Sequence, residues 1–543
     1  MINKKLIYLL LISFLLLNQV HVNAVTHNYV PRSIDIERSS KNILIGTYVG
    51  GRSHTKPMLD VVTILAERGH NTILLTTGKY EPSSEYPGLK QITLGPKISI
   101  RYDKNINIHK DVDYREIVQF MKLRANTYNE TYEKFKSAAK EYNIDLFFCD
   151  AFGNDACIDV AHNLKKPVVG FTSSLQLIDP KPYKSDPFFG CNGISLENES
   201  LFERFRCTLI QPLQIAYAFW PSESQLNDIR NQMNIKTASG KLPKLSLALI
   251  DTFFGFELPQ SLTPNVQEIG PVLSDEYPPL TPELSNFINS HKRVLYVAFG
   301  ARFFTTIETN DKILQSFIEA IDRKLVDGVI WALSETSKED FYPILDLIDG
   351  TQIQTLQILN NKYPHIHITE FAPQFAVLNH TNTKLFFSHG GVGSVHESLY
   401  TGIPMLILPL GGDQMGNAQR LETAGVALSL NKFTLDVNDI VNKIDFLLKD
   451  EHVKKNSERM KFLARINSKR KYRAADLVEY ILYSDSLLDE NVSDDFLKEW
   501  IPAESRMGFI KANNLDIYVT LVSIILTLIG GAIYIQINPI YVK

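Results

Sequence analysis

Short apolar runs recur along the chain, and amphipathic stretches with glycine-rich turns separate them. Fully apolar strands that alternate with helices predict α/β structure, in which parallel sheets are covered by helices on both faces. Ligands of such sheets bind beyond the carboxyl ends of the strands, so the residues after each run are the first candidates for a site. The predicted strands are Asn42–Val49, Ile73–Thr76, Ile144–Cys149, Leu164–Phe171, Arg293–Phe299, Val329–Leu333, Ile366–Phe371, Lys384–Ser388 and Met405–Leu410.

The length of the chain predicts two domains, each with its own sheet, rather than one. At 543 residues the chain exceeds what one core normally supports, and a proline-rich segment, Pro259–Pro282, is the best linker candidate. With 44% hydrophobic and 21% charged residues the composition is that of an ordinary folded protein. The formal net charge of −4 gives no indication of a nucleic-acid partner.

The turn that begins at His389 has the chemistry of an anion site. Gly390, Gly391 and Gly393 allow backbone N–H groups to approach an anion closely, and the following helix directs its positive end to the same place. His389 and Ser394 add side-chain donors. The alternative is a tight turn with a packed histidine. A dinucleotide fingerprint is disfavoured, because His396 stands where it requires a third small residue.

The stretch from Phe371 to Gln414 resembles the donor-binding signature of the UDP-glycosyltransferases. The family has tryptophan where Phe371 stands, and usually asparagine where Gly393 stands. The resemblance implies that Phe371 stacks on uracil, that Glu397 binds ribose and that Asp413 and Gln414 hold the sugar hydroxyls. The donor-binding residues that it implies are Gly300, Phe371, Gln374, His389, Gly391, Gly393, Ser394, Glu397, Asp413 and Gln414.

The same resemblance implies a GT-B fold, in which two Rossmann-like domains face each other across a cleft. It also implies inverting transfer of a hexosyl group from a UDP-sugar, which serves as co-substrate, without a metal or other cofactor. The sequence leaves the sugar, the acceptor and the oligomeric state open. The expected division is a signal peptide at 1–24, an acceptor domain at 25–265, a UDP-sugar domain at 266–452, returning helices at 453–515, a transmembrane helix at 516–535 and a cytosolic tail at 536–543.

His54 and Asp150 each follow a predicted strand of the first half, so they are expected at the same edge of one sheet. Taken alone, the histidine can be structural and the aspartate a helix cap. The resemblance places them where the family has its catalytic pair. A histidine oriented by a carboxylate suits the deprotonation of an acceptor hydroxyl. His70, at the exit of the first helix, is interpreted as structural.

Two rival functions fit parts of the sequence. Asp111-Val112-Asp113 has the spelling of the Asp-x-Asp motif of metal-dependent glycosyltransferases, but it precedes a predicted helix and is better explained as its cap. A catalytically silent lumenal lipid-binding protein of the same fold is the other rival. The presence of His54, Asp150 and the donor turn together argues against it.

Both ends of the chain indicate the secretory pathway. Lys4 and Lys5 precede the apolar run Leu6–Leu17, and Ala24 offers a cleavage site, as in a signal peptide. Ile517–Ile535 carries no charge and is long enough to span a bilayer. We therefore expect a single-pass type I protein of the endoplasmic reticulum or another secretory membrane, with its catalytic domains in the lumen. Four glycosylation sequons agree with this: Asn129, Asn198, Asn379 and Asn491.

The four cysteines and an aromatic segment complete the expectations. Cys191 and Cys207 flank a predicted loop and can pair in an oxidising lumen, whereas Cys149 is expected to be a buried thiol. Residues 181–241 are predicted to be irregular. Their aromatic side chains either line a pocket for a lipophilic acceptor or belong to ordinary packing: Phe188, Phe189, Phe202, Phe205, Tyr217, Phe219 and Trp220.

Overall fold

The structure is a computed structural model that describes residues 39–98, 115–235, 237, 245–300, 305–333, 338–487, 502–503 and 507–537. The signal peptide, Asp111, Asp113 and Asn491 lie outside these residues.

The first sheet has seven parallel strands in the order β3-β2-β1-β4-β5-β6-β7. Its strands are β1 (Asn42–Thr47), β2 (Asn71–Thr77), β3 (Lys90–Gly95), β4 (Leu146–Asp150), β5 (Val168–Thr172), β6 (Leu247–Ile250) and β7 (Val266–Glu268). The helices between them are α1 (Arg52–Glu67), α2 (Arg115–Glu141), α3 (Asp155–Asn163), α4 (Leu175–Ile178), α5 (Leu201–Phe205) and α6 (Gln211–Gln232).

The second sheet has six parallel strands in the order β12-β9-β8-β13-β14-β15. Its strands are β8 (Val294–Ala298), β9 (Gly328–Ala332), β12 (Ile366–Thr369), β13 (Thr383–Ser388), β14 (Met405–Ile407) and β15 (Ala427–Ser429), and a hairpin joins β10 (Ile344–Asp346) to β11 (Gln352–Gln354). Its helices are α7 (Pro282–Ser290), α8 (Ile307–Asp322), α9 (Thr355–Leu359), α10 (Gln374–Leu378), α11 (Val392–Thr401), α12 (Gln414–Thr423), α13 (Val437–Lys449) and α14 (Glu451–Asn467).

Each sheet is covered by helices on both faces, so the hydrophobic core forms four layers of apolar side chains. Leu44 and Ile45, neighbours in β1, point to opposite faces and belong to different clusters. Leu295 and Tyr296 of β8 divide in the same way. This pattern explains why the central strands, such as β1, β4, β8 and β13, are mostly apolar on both faces, and it confirms the predicted α/β class.

The helix α15 (Arg470–Leu487) returns to the first domain after the second is complete. Its buried residues, among them Ala474 and Val478, pack with α1. Glu479, fully buried, accepts from Arg68 Nη1 at 2.6 Å and lies 3.2 Å from His70 Nε2. His70 therefore has the structural role that the sequence indicates. Beside it, Lys471 Nζ donates to the carbonyl oxygen of Leu273, in the segment that links the two sheets, at 2.8 Å.

The chain ends in α16 (Phe509–Ala512) and α17 (Leu515–Ile537). Within the described residues α17 is the one helix that is long and apolar enough to cross a membrane, and none of its span is buried against the protein.

Two expectations about the first domain are wrong. Thr55, followed two residues later by Pro57, is the residue that the sequence favours as the cap of the first helix. Helix α1 instead begins at Arg52, because Gly50 and Gly51, with φ of 61° and 76°, let the chain turn at once after the strand. Residues 201–232 are helical, not irregular. A π-helical turn at residues 206–210 joins α5 to α6 and accommodates Pro212 near the start of α6.

The structure also corrects the expectation for Cys149. This residue is not a free thiol: α3 packs directly over β4, so that Cys157 lies beneath Cys149 with a Cα–Cα distance of 6.1 Å, and the two form a disulfide. Cys191 and Cys207 form the second disulfide, as the sequence allows.

Candidate active site between two sheet edges

His54 and Asp150 meet at the carboxyl edge of the first sheet. Asp150 is the last residue of β4, and His54 lies in the first turn of α1, which follows the neighbouring strand β1. His54 Nδ1 is 3.1 Å from Asp150 Oδ2, and the other carboxylate oxygen accepts from the backbone N–H of Phe152 at 3.0 Å. Asp150 is buried, whereas the His54 side chain is one-third exposed. With Nδ1–H held by the carboxylate, Nε2 is the ring nitrogen that can receive a proton.

An aromatic cluster lies beside His54, in which Phe152 is partly exposed and Phe120 and Tyr48 are buried behind it. The ring of Phe152 stacks on the His54 ring at a centroid distance of 6.2 Å, and on Phe120 at 5.1 Å. Tyr48 packs against Phe120 from the other side. The sequence analysis missed Phe152 as a site residue, although its position two residues after Asp150 was a usable signal.

A polar cavity of about 480 Å³ lies next to the same turn and includes Ala151 and Gly153 in its lining. Its charged side chains pair with one another: Arg230 contacts Asp155 at 3.0 Å and Asp159 at 2.7 Å. The cavity is therefore lined by neutralised ion pairs, and it differs from the aromatic cluster beside His54.

The donor turn occupies the corresponding edge of the second sheet. It follows β13, and α11 begins at Val392 with Gly391 as its N-cap. Gly300 follows β8, the adjacent strand, at φ 73°. The His389 ring lies between these glycines: a Cβ added to Gly300 or Gly391 would stand 2.9 or 2.6 Å from His389 Nε2. Only glycine at both positions leaves room for this ring.

His389 is neutral in the unliganded site. Burial lowers the pKa of its imidazole to about 4, although a hydrogen bond to the carbonyl oxygen of Ala298 favours the protonated form. The positive potential at this turn therefore comes from backbone N–H groups and the end of α11. Gly393 is exposed, with no atom within 4 Å of an added Cβ.

Gln374, Ser394 and Glu397 form one hydrogen-bonded group at the start of α10 and α11. Gln374 Nε2 donates to Glu397 Oε2 at 2.8 Å and to Ser394 Oγ at 3.2 Å. Burial raises the pKa of Glu397 to about 7, opposed by the bond from Gln374 and by the charges of Lys56 and Arg52. These two cations belong to α1 of the first domain, and sequence analysis did not associate them with the donor site.

The remaining predicted donor residues, Phe371, Asp413 and Gln414, differ in their exposure to solvent. Phe371 is 69% exposed, so its ring is available for stacking. Asp413 is exposed, but the surrounding protein weakens its hydration and raises the pKa of its carboxyl, opposed first by the hydrogen bond that its Oδ2 accepts from Asn417 Nδ2 at 2.8 Å and then by the nearby imidazole of His54. Gln414 is buried, and its Oε1 accepts from the N–H groups of Leu410 and Gly411 at 2.8 and 3.1 Å. Asp413 thus links the two sheet edges electrostatically.

A buried pair also joins the two domains behind the donor turn. Asp251 follows β6 of the first sheet, and His396 lies next to Glu397 on α11; His396 Nδ1 is 3.5 Å from Asp251 Oδ1. The backbone N–H of Val272 donates to the same oxygen at 2.8 Å. Burial raises the pKa of Asp251 to about 7 and lowers the pKa of His396 to about 3. Nothing in the sequence pattern connects these two residues.

Comparison with known proteins agrees with this arrangement. The family described as "UDP-glucoronosyl and UDP-glucosyl transferase" matches residues 200–483. A UDP-glycosyltransferase of Talaromyces amestolkiae is 29% identical over 524 residues, which are 92% of this chain and 98% of that protein. UDP-glycosyltransferase 1 of Phaeomoniella chlamydospora is 31% identical over 414 residues, covering 74% and 82%.

Solved structures share the fold at low sequence identity. The glycosyltransferase of kitacinnamycin has a TM-score of 0.59 at 16% identity and covers 81% of this chain and 99% of its own. The calicheamicin glycosyltransferase CalG4 has a TM-score of 0.55 at 19% identity, covering 82% and 99%. The fold is therefore GT-B. Together with the family match over 200–483, these findings show that the chain belongs to the UDP-glycosyltransferase family and is an enzyme that transfers a sugar from a UDP-sugar to an acceptor.

Proposed function

We propose that this enzyme transfers a hexosyl group with inversion and without a metal ion, from a UDP-sugar to a hydroxyl of a lipophilic small molecule or membrane lipid. The observation that carries the proposal is the His54–Asp150 pair, at 3.1 Å, at the carboxyl edge of the first sheet, with the glycine turn before α11 at the corresponding edge of the second sheet. A base on one side of the cleft and a donor turn on the other suit a single displacement.

In this mechanism Nε2 of His54 takes the proton of the acceptor hydroxyl as its oxygen attacks the anomeric carbon. The bond from that carbon to the UDP oxygen breaks on the opposite face, so the configuration inverts and UDP leaves with the electron pair. Asp150 keeps the imidazole in its tautomer and stabilises the imidazolium that forms. Backbone N–H groups of the donor turn and the end of α11 stabilise the charge that develops on UDP.

The lipophilic acceptor is supported by Phe152, whose partly exposed ring stacks on His54 and is backed by the buried rings of Phe120 and Tyr48. Burying apolar acceptor surface against this ring contributes about 25 cal/mol per Å². The test is transfer from the best UDP-sugar to a matched panel of sterol, phenol, simple sugar and peptide. Transfer to the sterol or phenol is expected to exceed the rest, and a preference for the sugar or peptide would contradict the proposal.

Metal independence rests on a donor turn that can hold a diphosphate through amides and a helix end. Among the described residues one group brings potential ligands together, Cys191, Glu203 and Cys207, and its two sulfurs are joined in a disulfide. Transfer is expected to survive EDTA. Loss of activity with EDTA and recovery with Mn²⁺ would favour Asp111 and Asp113 instead.

We also propose that the catalytic domains lie in the lumen of the endoplasmic reticulum or another secretory membrane, anchored by α17. Two disulfides suit an oxidising compartment, and the sequon residues Asn129, Asn198 and Asn379 are exposed. In sealed microsomes the body should resist added protease. Digestion of the catalytic domains in the absence of detergent would show that they lie on the cytosolic side and would contradict this orientation.

A further inference from the structure

The long helix made of α5, the π-helical turn and α6 has an inverted distribution of polarity. Its large apolar residues face outward at a helical spacing, and we call them the apolar stripe: Phe202, Phe205, Leu209, Leu213, Tyr217 and Trp220, which are 75%, 53%, 46%, 60%, 85% and 70% exposed. The inward face carries Glu203, Cys207 and Gln211, each less than 10% exposed. A helix that packs on a soluble core has the opposite arrangement.

The exposure of Phe202, Phe205, Tyr217 and Trp220 bears on the choice between a pocket and ordinary packing that the sequence left open for the aromatic segment. The stripe residues neither line a closed pocket nor take part in ordinary packing, since Tyr217 and Trp220 expose most of their surface. At 1.5 Å per residue the stripe is about 27 Å long. An exposed apolar surface of this size on a protein marks an interaction site.

We infer that the apolar stripe is a membrane-contacting surface that lies in the interfacial layer of a lipid bilayer. Residues 207–222 contain no charged side chain. Tyrosine and tryptophan are enriched at membrane–water interfaces, where their rings lie at the level of the headgroups, and the leucine and phenylalanine side chains add apolar surface beside them. The stripe stops at Trp220, because the next exposed positions on that face are Ser224 and Asp228.

The candidate membrane span α17 indicates that the partner of the apolar stripe is a bilayer. Helix α15 packs on the first domain and ends at Leu487, and the candidate span α17 begins at Leu515. Even a fully extended segment of residues 488–514 reaches no further than about 95 Å. A domain held this close to a bilayer meets the lipid surface at a high effective concentration.

The stripe is continuous with the rim of the cleft. The Cys191–Cys207 disulfide ties its helix to the loop before it. In that loop, the backbone N–H of Ile194 donates to Gln419 Oε1 of α12 at 2.9 Å. Burial raises the pKa of Asp186 in this loop, and the nearby carboxylate of Asp413 adds to the effect. Contact of the stripe with lipid therefore places this rim of the cleft near the membrane surface, where a lipophilic acceptor can enter it. The entry of the acceptor rests on the function proposed above, whereas the contact itself does not.

The contact can be measured on the full-length chain in phosphatidylcholine vesicles. All four native cysteines are in disulfides, so one introduced cysteine carries a single nitroxide label. Tyr217→Cys reports the stripe. Asp228→Cys, on the same face beyond its end, and Phe254→Cys, an exposed apolar position elsewhere, are the controls. The ratio of oxygen to nickel-chelate accessibility should be several-fold higher at 217 than at 228 and 254.

Two outcomes would overturn the inference. Equal ratios at the three positions would show that the stripe stays in water. Protection of 217 from both reagents, with spin–spin broadening, would show that a second copy of the chain covers it.

A second measurement separates the contact from the acceptor. In Leu213→Glu/Tyr217→Glu, transfer to an acceptor embedded in vesicles should fall several-fold, while transfer to a dissolved short-chain acceptor stays unchanged. No loss, or an equal loss with both acceptors, would overturn the positioning role. If the label at 217 enters lipid and the unmodified enzyme uses neither acceptor, the acceptor proposal fails and the contact stands.

Discussion

The two sheet edges that face each other across the cleft use different parts of the polypeptide for their chemistry. At the first edge, two side chains that follow or end neighbouring strands, His54 and Asp150, lie in contact and form the proposed catalytic pair. At the second edge, the backbone of Gly391 and its neighbours is the proposed binding surface, and His389 packs against Gly391. A proton acceptor needs a side chain with a suitable pKa, whereas a diphosphate is bound well by N–H groups and a helix end. The comparison therefore predicts that substitutions at the first edge affect turnover and those at the second affect donor affinity.

The largest effect is expected at the first edge. His54→Ala removes the group that receives the acceptor proton, so kcat should fall by about 10²–10⁴-fold. Because His54 lies across the cleft from the donor turn, the Kd for UDP, measured by calorimetry, should stay nearly unchanged. Asp150→Asn is the companion variant and should lower kcat without changing UDP affinity. Turnover like that of the native enzyme in His54→Ala would remove this residue from the mechanism.

Gly391→Ala should have the complementary effect. Its Cβ would stand 2.6 Å from His389 Nε2, so the buried ring and the turn must shift, and UDP affinity should fall by about 10–100-fold, since each hydrogen bond to a charged group is worth about 1.5–3 kcal/mol.

Substitutions at two other glycines distinguish a clash within the protein from a lost contact with UDP. Gly88→Ala in the first domain, where an added Cβ meets nothing within 4 Å, controls for the substitution itself. Gly393→Ala has equally open surroundings, so any loss of affinity there reports contact with the ligand rather than a clash within the protein. Native UDP affinity in Gly391→Ala would contradict the assignment of the turn.

The pH dependence of donor binding sharpens the comparison further. The pKa of Glu397 is about 7 in the unliganded site, and the ionised carboxylate is the better acceptor for ribose hydroxyls. Affinity for a UDP-sugar should therefore rise as pH increases through about 7, by up to about tenfold if the protonated form binds poorly. In Glu397→Gln the profile should be flat. A UDP-sugar is the right ligand, because its doubly esterified diphosphate does not titrate near neutrality.

The smallest effect concerns the pair that joins the two edges. Asp251 has a pKa raised to about 7, so the folded protein binds more protons than the unfolded chain between the ordinary value near 4 and 7. The native state is therefore destabilised as pH rises through this window, and Asp251→Asn should be more stable than the native protein at pH 8, on the order of 1 kcal/mol. Denaturant unfolding at pH 5 and pH 8 measures this. A gain of equal size at both pH values would show that titration of Asp251 is not its cause.

The donor edge was largely predictable from the sequence, because its strands, turns and helix starts are contiguous in residues 371–414. The adjacency of His54 and Asp150 followed from two apolar strands that end at the same edge. Other features depend on tertiary packing between distant segments. Asp251 meets His396, and Cys149 meets Cys157, only once the helices have packed on the sheets. The outward face of Tyr217 and Trp220 was missed because residues 181–241 were predicted to be irregular, so no helical face was assigned to them.

The return of α15 to the first domain has a mechanical consequence. The polypeptide crosses between the domains twice, through residues 269–281 and again just before Arg470, and the bond from Lys471 to Leu273 holds the two crossings side by side. Two adjacent connections form a hinge: they permit the two domains to rotate about one axis and resist twisting or sliding of one domain against the other. Each closure would then bring His54 back to the same position relative to the bound sugar, so the alignment of attack is set by the hinge before any acceptor arrives.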